Sequence, residues 1–552
     1  MPDYSKIKPL KVTVITDIHY YSKLLGTEGE AYMKNEGRKQ TLARETEEVI
    51  REAWDLICDD AEAQTVLIHG DITSNGDFAS HDEVLVLLRE LQARGKRIIL
   101  SFSTHDYRQL TDDKLYAQSY DGDTVTQIPC YMQNDIVGRF DEFGRGDAIS
   151  RCPTTFSYTA QLSDGIRLLV LDDDMWGTVG CGYLLEHLTW IKEQTEDAKA
   201  HNQFIFAMAH HPILPPHPLY SIMGKKNDIV LNYREVFQYF SDAGLNVFFT
   251  GHAHIHDISY DYSASGNIFY DISTAALIGY PPAMRTATID PTNDVIHVAT
   301  HIIQGCRYLD TEGLTLPLFI RRNFFGMIED FIESGASGDI ARFAQIADGM
   351  SIREHTIKKV KIFVKPVFKY LSKLTVKKIA RWTKKETKLK KSEYADIAEA
   401  RVVPFVIDIV TRMYAGDPNY GPDTAYYKIA MALVSVIDSI IRCLPIDFNK
   451  ITGFSCLSEI VDPMIYNKGI CDDHADIIVD NEKAAKIFPK IEAYTPPYTS
   501  KKGPKIIVVL VLTAIIFSPI LVPAALILGI VLGLKKLFKP KKKKNTGMDN
   551  SR

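Results

Sequence analysis

Six short apolar runs set the strongest limit on what this chain can fold into. Lys11–Thr16, Thr65–His69, Arg97–Phe102, Ile166–Leu171, Gln203–Ala209 and Leu245–Thr250 have the length and content of buried strands. Between them, Gln40–Ala61, His81–Gly95, Tyr183–Ala200 and Tyr233–Ala243 carry helical patterning. That alternation predicts an α/β fold assembled from βαβ units. Asn267–Ile272 and Val295–Ile302 add shorter β runs.

The pattern changes near residue 310. Leu318–Glu333, Glu393–Ala415 and Thr424–Leu444 show helical apolar spacing and few strand signals. The expected organisation is an α/β domain over 1–310, an α-helical domain over 311–500 and a C-terminal segment over 501–552. Within the last, Ile506–Leu534 runs without a charge. A bilayer span needs about 20 apolar residues, so a membrane segment is expected there. Lys501, Lys502 and Lys505 precede it and seven Lys follow within 535–544. Pro519 and Pro523 interrupt the run, which leaves a single span and a re-entrant hairpin both open. Met1–Tyr21 shows no apolar run leading to a small-residue cleavage site. Together with the Lys-rich flanks, this predicts a membrane-associated protein with a cytoplasmic catalytic domain.

The net charge of −5 conceals a split. Residues 358–391 hold thirteen Lys and Arg381 against Glu386 alone. Val360, Val364, Val367, Leu371 and Leu374 share one helical face there, beside a row of Lys. A basic amphipathic stretch of this kind predicts contact with anionic lipid. The rest of the chain is acidic and holds no nucleic-acid-binding module, so no nucleic-acid partner is expected. A chain 46% hydrophobic and 24% charged is not disordered throughout. Its eight Cys form no CxxC pair, which predicts reduced thiols and no thiolate metal site.

Chemistry gathers where the strands end. Asp17-Ile18-His19 follows the first run and Gly70-Asp71 the second. Ser103-Thr104-His105-Asp106 follows the third, His210-His211-Pro212 the fifth and Gly251-His252-Ala253-His254 the sixth. Each motif alone is weak. In open α/β sheets, however, ligands collect at the carboxyl ends of the strands. One edge would then gather imidazoles and carboxylates, a donor set suited to Zn, Fe or Mn. His217, on the Pro-rich loop after His211, is a lesser candidate for substrate contact. Asp172, Asp173 and Asp174 read as a solvated turn, and Tyr20 and Tyr21 as packing residues.

In this order the motifs resemble the signature of the calcineurin-like metallophosphoesterase superfamily. Gly70-Asp71-Ile72-Thr73-Ser74-Asn75-Gly76, Ser80-His81, Phe156-Ser157-Tyr158 and Ile166–Asp172 are similar to its cyclic-nucleotide phosphodiesterase-like branch. The resemblance implies a four-layer α/β/β/α sandwich and two divalent metal ions (Mn, Fe or Zn). It implies Asp17, His19 and His254 as ligands of the first ion, Asp71 as the bridging carboxylate, and His210 and His252 as ligands of the second. It implies catalytic roles for His105 at the leaving group and for Asp106 behind it, orienting the imidazole. Of the adjacent pair, His210 is favoured over His211 because neighbouring strand residues face opposite ways. The expected activity is hydrolysis of a phosphodiester, with a cyclic nucleotide among the substrates, through a metal-activated hydroxide.

Thr104 departs from the family pattern. The family has Asn there, whose amide oxygen ligates the second ion; a Thr hydroxyl is shorter and a poorer donor. This favours an alternative reading, a catalytically weakened, metal-binding membrane scaffold.

Overall fold

The computed structural model describes residues 2–37, 39–109, 115–136, 138–175, 180–223, 228–349, 364–366, 368–416, 418–442, 447–490 and 494–499. Fifteen strands are found among them: β1 (Leu10–Ile15), β2 (Thr65–His69), β3 (Arg97–Ser101), β4 (Ala117–Asp121), β5 (Thr124–Ile128), β6 (Ser150–Arg151), β7 (Tyr158–Ser163) and β8 (Ile166–Val170). β9 (Phe204–Met208), β10 (Val247–Thr250), β11 (Asp257–Tyr262), β12 (Ile268–Ser273), β13 (Ala283–Asp290), β14 (Val295–Ile302) and β15 (His474–Ile478) follow.

Two mixed sheets carry the fold. The first runs β15-β14-β13-β1-β2-β3 and the second β11-β12-β10-β9-β8-β7-β6, while β4 and β5 form a separate hairpin. β1, β2 and β3 are mutually parallel, as are β8, β9, β10 and β12. The two sheets face each other across one core. Val12 and Val14 of β1 and Leu67 of β2 meet Leu168, Phe206 and Phe249 of the second sheet there.

The alternate residues of the same strands face outward and are covered by helices. Ile15, Val66, Ile68 and Ile98 pack against Val49, Ala53 and Trp54 of the helix Thr46–Asp59 and Val84 and Leu88 of the helix Phe78–Ala93. On the other side, Leu169, Ile205 and Phe248 pack against Ile191 of Leu185–Ala200 and Phe237 and Phe240 of Tyr233–Ala243. The layers are therefore α/β/β/α. Strands buried on both faces read as unbroken apolar runs, which is why they stood out in the sequence.

The remaining helices pack as an additional region, including Leu316–Ser337, Val402–Ala415, Ala425–Ile441 and Leu457–Ile465. It is joined to the sandwich at several points, one of them Leu316 and Ile320, which lie in the core beneath the first sheet. β15 extends the first sheet, pairing antiparallel with β14 from Val295↔Ile478 to Ala299↔His474. The helical core also takes in Ala253 and Ile255, which flank His254.

The membrane expectations are corrected. Among the described residues, no helix is long and apolar enough to cross a membrane. The run 506–534 on which the membrane segment rested lies outside the described residues. The fold class is therefore a mixed α/β sandwich with an added helical region, and membrane attachment and membrane location are withdrawn. The basic stretch 358–391, expected to contact anionic lipid, is described only in part. Of its apolar face, residues 360 and 367 lie outside the described residues. Val364, Leu371 and Leu374 are buried within the protein, the last two in the helical core. Among the described residues of this face, no apolar side chain is left exposed to meet a bilayer.

Candidate metal centre

The turns after β1, β2 and β10 converge at the carboxyl edge of the two sheets. After β1, the backbone N–H groups of Asp17 and His19 donate to the carbonyls of Gly70 (3.3 Å) and Asp71 (2.8 Å). The first two motifs thus run side by side beyond their parallel strands. Asp17, His19, Asp71, His252 and His254 all have φ between 43° and 59°. This left-handed region is uncommon for residues with a side chain, although Asp and His enter it more readily than most. Each such residue costs on the order of 1 kcal/mol, and such strain clusters where a site over-determines the backbone.

Two glycines permit the close approach. A Cβ on Gly70, whose φ is +86°, would lie 2.4 Å from His210 Nδ1. A Cβ on Gly251 would lie 2.2 Å from Thr16 Oγ1 and 2.5 Å from Asp17 Oδ2.

The side chains form two neighbouring donor groups. In one, Asp17 Oδ1 is 3.1 Å from His254 Nε2 and 3.5 Å from His19 Nε2, and the two imidazole nitrogens are 3.0 Å apart. In the other, His210 Nε2 is 3.1 Å from Asp71 Oδ2 and 3.3 Å from His252 Nδ1. Asp71 Oδ2 is also 3.7 Å from His19 Nε2, so one carboxylate oxygen reaches both groups. Asp17, Asp71 and His210 are fully buried, or nearly so, and His19 is buried. The carbonyl of His69 accepts from His210 Nδ1–H (2.9 Å), which leaves Nε2 free to act as a donor atom to an ion.

Electrostatics agree with a cation site. Burial pushes the Asp17 carboxyl up, but His254 and His210 outweigh it and hold it well below the usual carboxylate range. For Asp71, burial is likewise overcome, chiefly by His210 and His105, and its carboxyl also stays well below that range. Two ionised, buried carboxylates among converging imidazoles fit divalent metal ions of the Zn, Fe or Mn kind.

The third motif sits beside this centre. Backbone N–H of His105 donates to Asp71 Oδ1 (3.1 Å), and its ring packs edge-on against His19 at 4.8 Å between centroids. Its Nδ1–H donates to the carbonyl of Ser74 (2.7 Å). Burial, opposed by Asp71, takes the imidazole down to about 3, so it is neutral near pH 7. Asp106, expected behind the His105 ring, takes its hydrogen bonds elsewhere. Its Oδ1 accepts from Thr73 N–H (2.8 Å) and its Oδ2 from Ser103 N–H (3.0 Å), tying two motif loops together. The His105 Nδ1 is instead taken by the Ser74 carbonyl. Thr104 is half-buried on the same turn, and its carbonyl accepts from the Arg108 guanidinium at 3.4 Å.

Sequence reasoning missed the acidic run after β8. Asp172, Asp173 and Asp174 are buried, not solvated. Asp172 accepts from Phe156 N–H (3.0 Å), Asp173 holds His211, and Asp174 accepts from the Tyr107 hydroxyl. The available signal was position: the run ends a parallel strand at the same edge as the other motifs. His217 is buried, its Nδ1 accepting from Tyr220 N–H (3.2 Å). Tyr20 and Tyr21 are packed in, with hydroxyls on Glu83 (2.9 Å) and the Gly26 carbonyl (2.8 Å).

No curated protein sequence matches the chain. Among solved structures it is similar to a dimetal phosphatase from Danio rerio, with TM-score 0.37 and 15% identity over 53% of this chain and 96% of that one. It is similar to a purple acid phosphatase from yellow lupin, with TM-score 0.37 and 10% identity over 54% of this chain and 52% of that one. A 5'-nucleotidase precursor from Thermus thermophilus gives TM-score 0.31 and 11% identity over 58% of each chain. These likenesses are too low to bear on function. The sequence match is more direct, since its residues span all five motifs. Residues 10–256 match the family model of the calcineurin-like phosphoesterases, which supports a metal-dependent phosphoric ester hydrolase.

Proposed function

We propose that the protein hydrolyses a phosphodiester at a two-ion centre, with cyclic nucleotides as the substrate class favoured by the sequence resemblance. The observation that carries the two-ion reading is Asp71 Oδ2, which lies within 3.7 Å of His19 Nε2 and 3.1 Å of His210 Nε2. Asp17, His19 and His254 would hold one ion and His210 and His252 the other, with Asp71 shared. When bound, a pair of divalent ions of the Mn, Fe or Zn kind neutralises phosphoryl charge and makes the attacking water more acidic.

The chain's own groups supply the rest. The Asp106 bonds to Thr73 and Ser103 hold the β2 and β3 turns at a fixed separation. The Ser74 carbonyl fixes the His105 tautomer with its proton on Nδ1, leaving Nε2 as an acceptor. An anionic ester beside the ring opposes the burial penalty on the imidazolium. His105 can then take a proton at Nε2 from solvent water and pass it to the leaving oxygen.

The test is hydrolysis of a chromogenic phosphodiester, a chromogenic phosphomonoester, cyclic nucleotides and nucleoside monophosphates by the metal-stripped protein resupplied with Mn²⁺, Fe²⁺ or Zn²⁺ in turn. Turnover of diesters in preference to monoesters is expected. A preference for monoesters would overturn the substrate assignment and leave the hydrolase reading standing.

A further inference from the structure

We propose that His211 donates its Nε2 to the second ion, compensating for the Asn amide that Thr104 does not supply, and that Asp173 is the positioning residue that aims it. The inference rests on the two-ion reading above and extends its ligand set.

Strand alternation argued against two adjacent ligands, but it does not apply at these residues. β9 ends at Met208, and His210 and His211 lie in the bend beyond it. Their rings are nearly perpendicular (87°), 5.0 Å apart, and both are fully buried. The His211 ring also lies 4.2 Å from that of His252. One ligand nitrogen from each of His210, His211 and His252 falls within 4.8 Å of the other two. Neighbouring donors on an ion with bonds of about 2.1 Å are roughly 3.0–3.4 Å apart, so the three nitrogens would close in on a shared ion when it binds.

Asp173 fixes which nitrogen is available. Its Oδ1 lies 2.8 Å from His211 Nδ1 and its Oδ2 accepts the His211 backbone N–H at 2.8 Å. This clamp puts the proton on Nδ1 and the lone pair on Nε2, the arrangement by which a carboxylate orients a metal-bound imidazole. His211 Nε2 is buried and has no hydrogen-bond partner among the described residues. An ion on the Asp173 side of the ring is disfavoured. Asp174 Oδ1 has no hydrogen-bond partner among the described residues, but both Asp173 oxygens are committed to His211, and the proton they hold on Nδ1 closes that side of the ring to an ion. The free nitrogen therefore serves the His210–His252 side, where an imidazole is a stronger donor than a Thr hydroxyl.

Cobalt(II) titration of the metal-stripped full chain, followed by absorption spectra and by metal content, tests this together with a crystal structure of the cobalt-loaded wild type. Wild type is expected to take up two ions. His211→Gln should keep the first and bind the second at least about 10-fold more weakly, and Asp173→Asn should weaken the second by about 10- to 100-fold. Adding Thr104→Asn to His211→Gln should restore second-ion affinity, which a purely packing role for His211 would not produce. Two ions bound at wild-type affinity by His211→Gln would overturn the proposal. So would a loaded wild-type structure with Nε2 outside bonding distance, a measurement that stands even if the variants fail to fold. Failure of wild type to bind a second ion would instead defeat the two-ion reading.

Discussion

The imidazole of His105 is fixed by the backbone carbonyl of Ser74, 2.7 Å from Nδ1, while the neighbouring Asp106 carboxylate points to Thr73 and Ser103. Two residues that the sequence presents as one catalytic unit therefore separate into a group facing the centre and a brace behind it. Their variants should differ in kind.

His105→Gln should lower kcat by about 100- to 10,000-fold, the usual contribution of a positioned proton-transfer group. Bound metal and thermal stability should stay near wild type, because the ring accepts no structural hydrogen bond at Nε2 among the described residues. Steady-state rates alongside metal analysis decide it; an unchanged kcat would remove His105 from the mechanism.

Asp106→Ala should act first on stability. It strands the buried N–H groups of Thr73 and Ser103, at roughly 1–3 kcal/mol for each donor left unpaired. Urea unfolding measures the loss. A midpoint equal to wild type would mean that the carboxylate does not brace these loops.

Asp71→Ala removes the oxygen that reaches both donor groups. Activity should disappear and metal content should fall, as read by turnover and elemental analysis on one sample. Near-wild-type rates would refute the proposed site.

Gly251→Ala adds a methyl group 2.2 Å from Thr16 Oγ1 and 2.5 Å from Asp17 Oδ2. Asp17 Oδ2 also accepts the His252 N–H at 3.0 Å, so the clash forces apart two turns that carry donors. First-ion affinity should drop by at least about 10-fold, on the scale of losing a ligand-orienting contact. Isothermal titration with Zn²⁺ is the check, and an unaltered dissociation constant would contradict the packing described.

Stability should fall with acid. Burial takes His81 down to about 4 and His187 down to about 4, against about 6.5 in an unfolded chain. Both are neutral in the folded protein, so unfolding takes up protons below pH 6.5. Their contribution is fully present above that value and is lost as pH falls towards 4, at no more than about 3 kcal/mol each. Denaturant midpoints between pH 8 and pH 4 should trace this fall, and His187→Gln should flatten it. A wild-type profile flat across that window would count against buried, neutral histidines.

Much of the sandwich was legible because β1, β2, β8 and β9 are buried on both faces and so read as continuous apolar runs. The donor motifs were legible because each directly follows such a strand. Less could be read where a residue's partner comes from a distant segment. The basic stretch looked amphipathic and outward-facing, but Leu371 and Leu374 are covered by helices far along the chain. Asp173 looked solvated because its partner, His211, stands 38 residues away. β15 escaped notice because His474–Ile478 is a half-polar edge strand whose identity comes from pairing with β14.

The sequence by itself determined the class of the centre: carboxylates and imidazoles placed at strand ends, with Gly where backbone and ring must approach. Periodicity and residue chemistry are local, and they survive folding unchanged. Only the tertiary structure decided which oxygen of Asp71 reaches both groups, which carbonyl sets the His105 tautomer and which acid aims His211. Those are distances between residues tens to hundreds of positions apart, and they exist only once the two sheets have packed face to face.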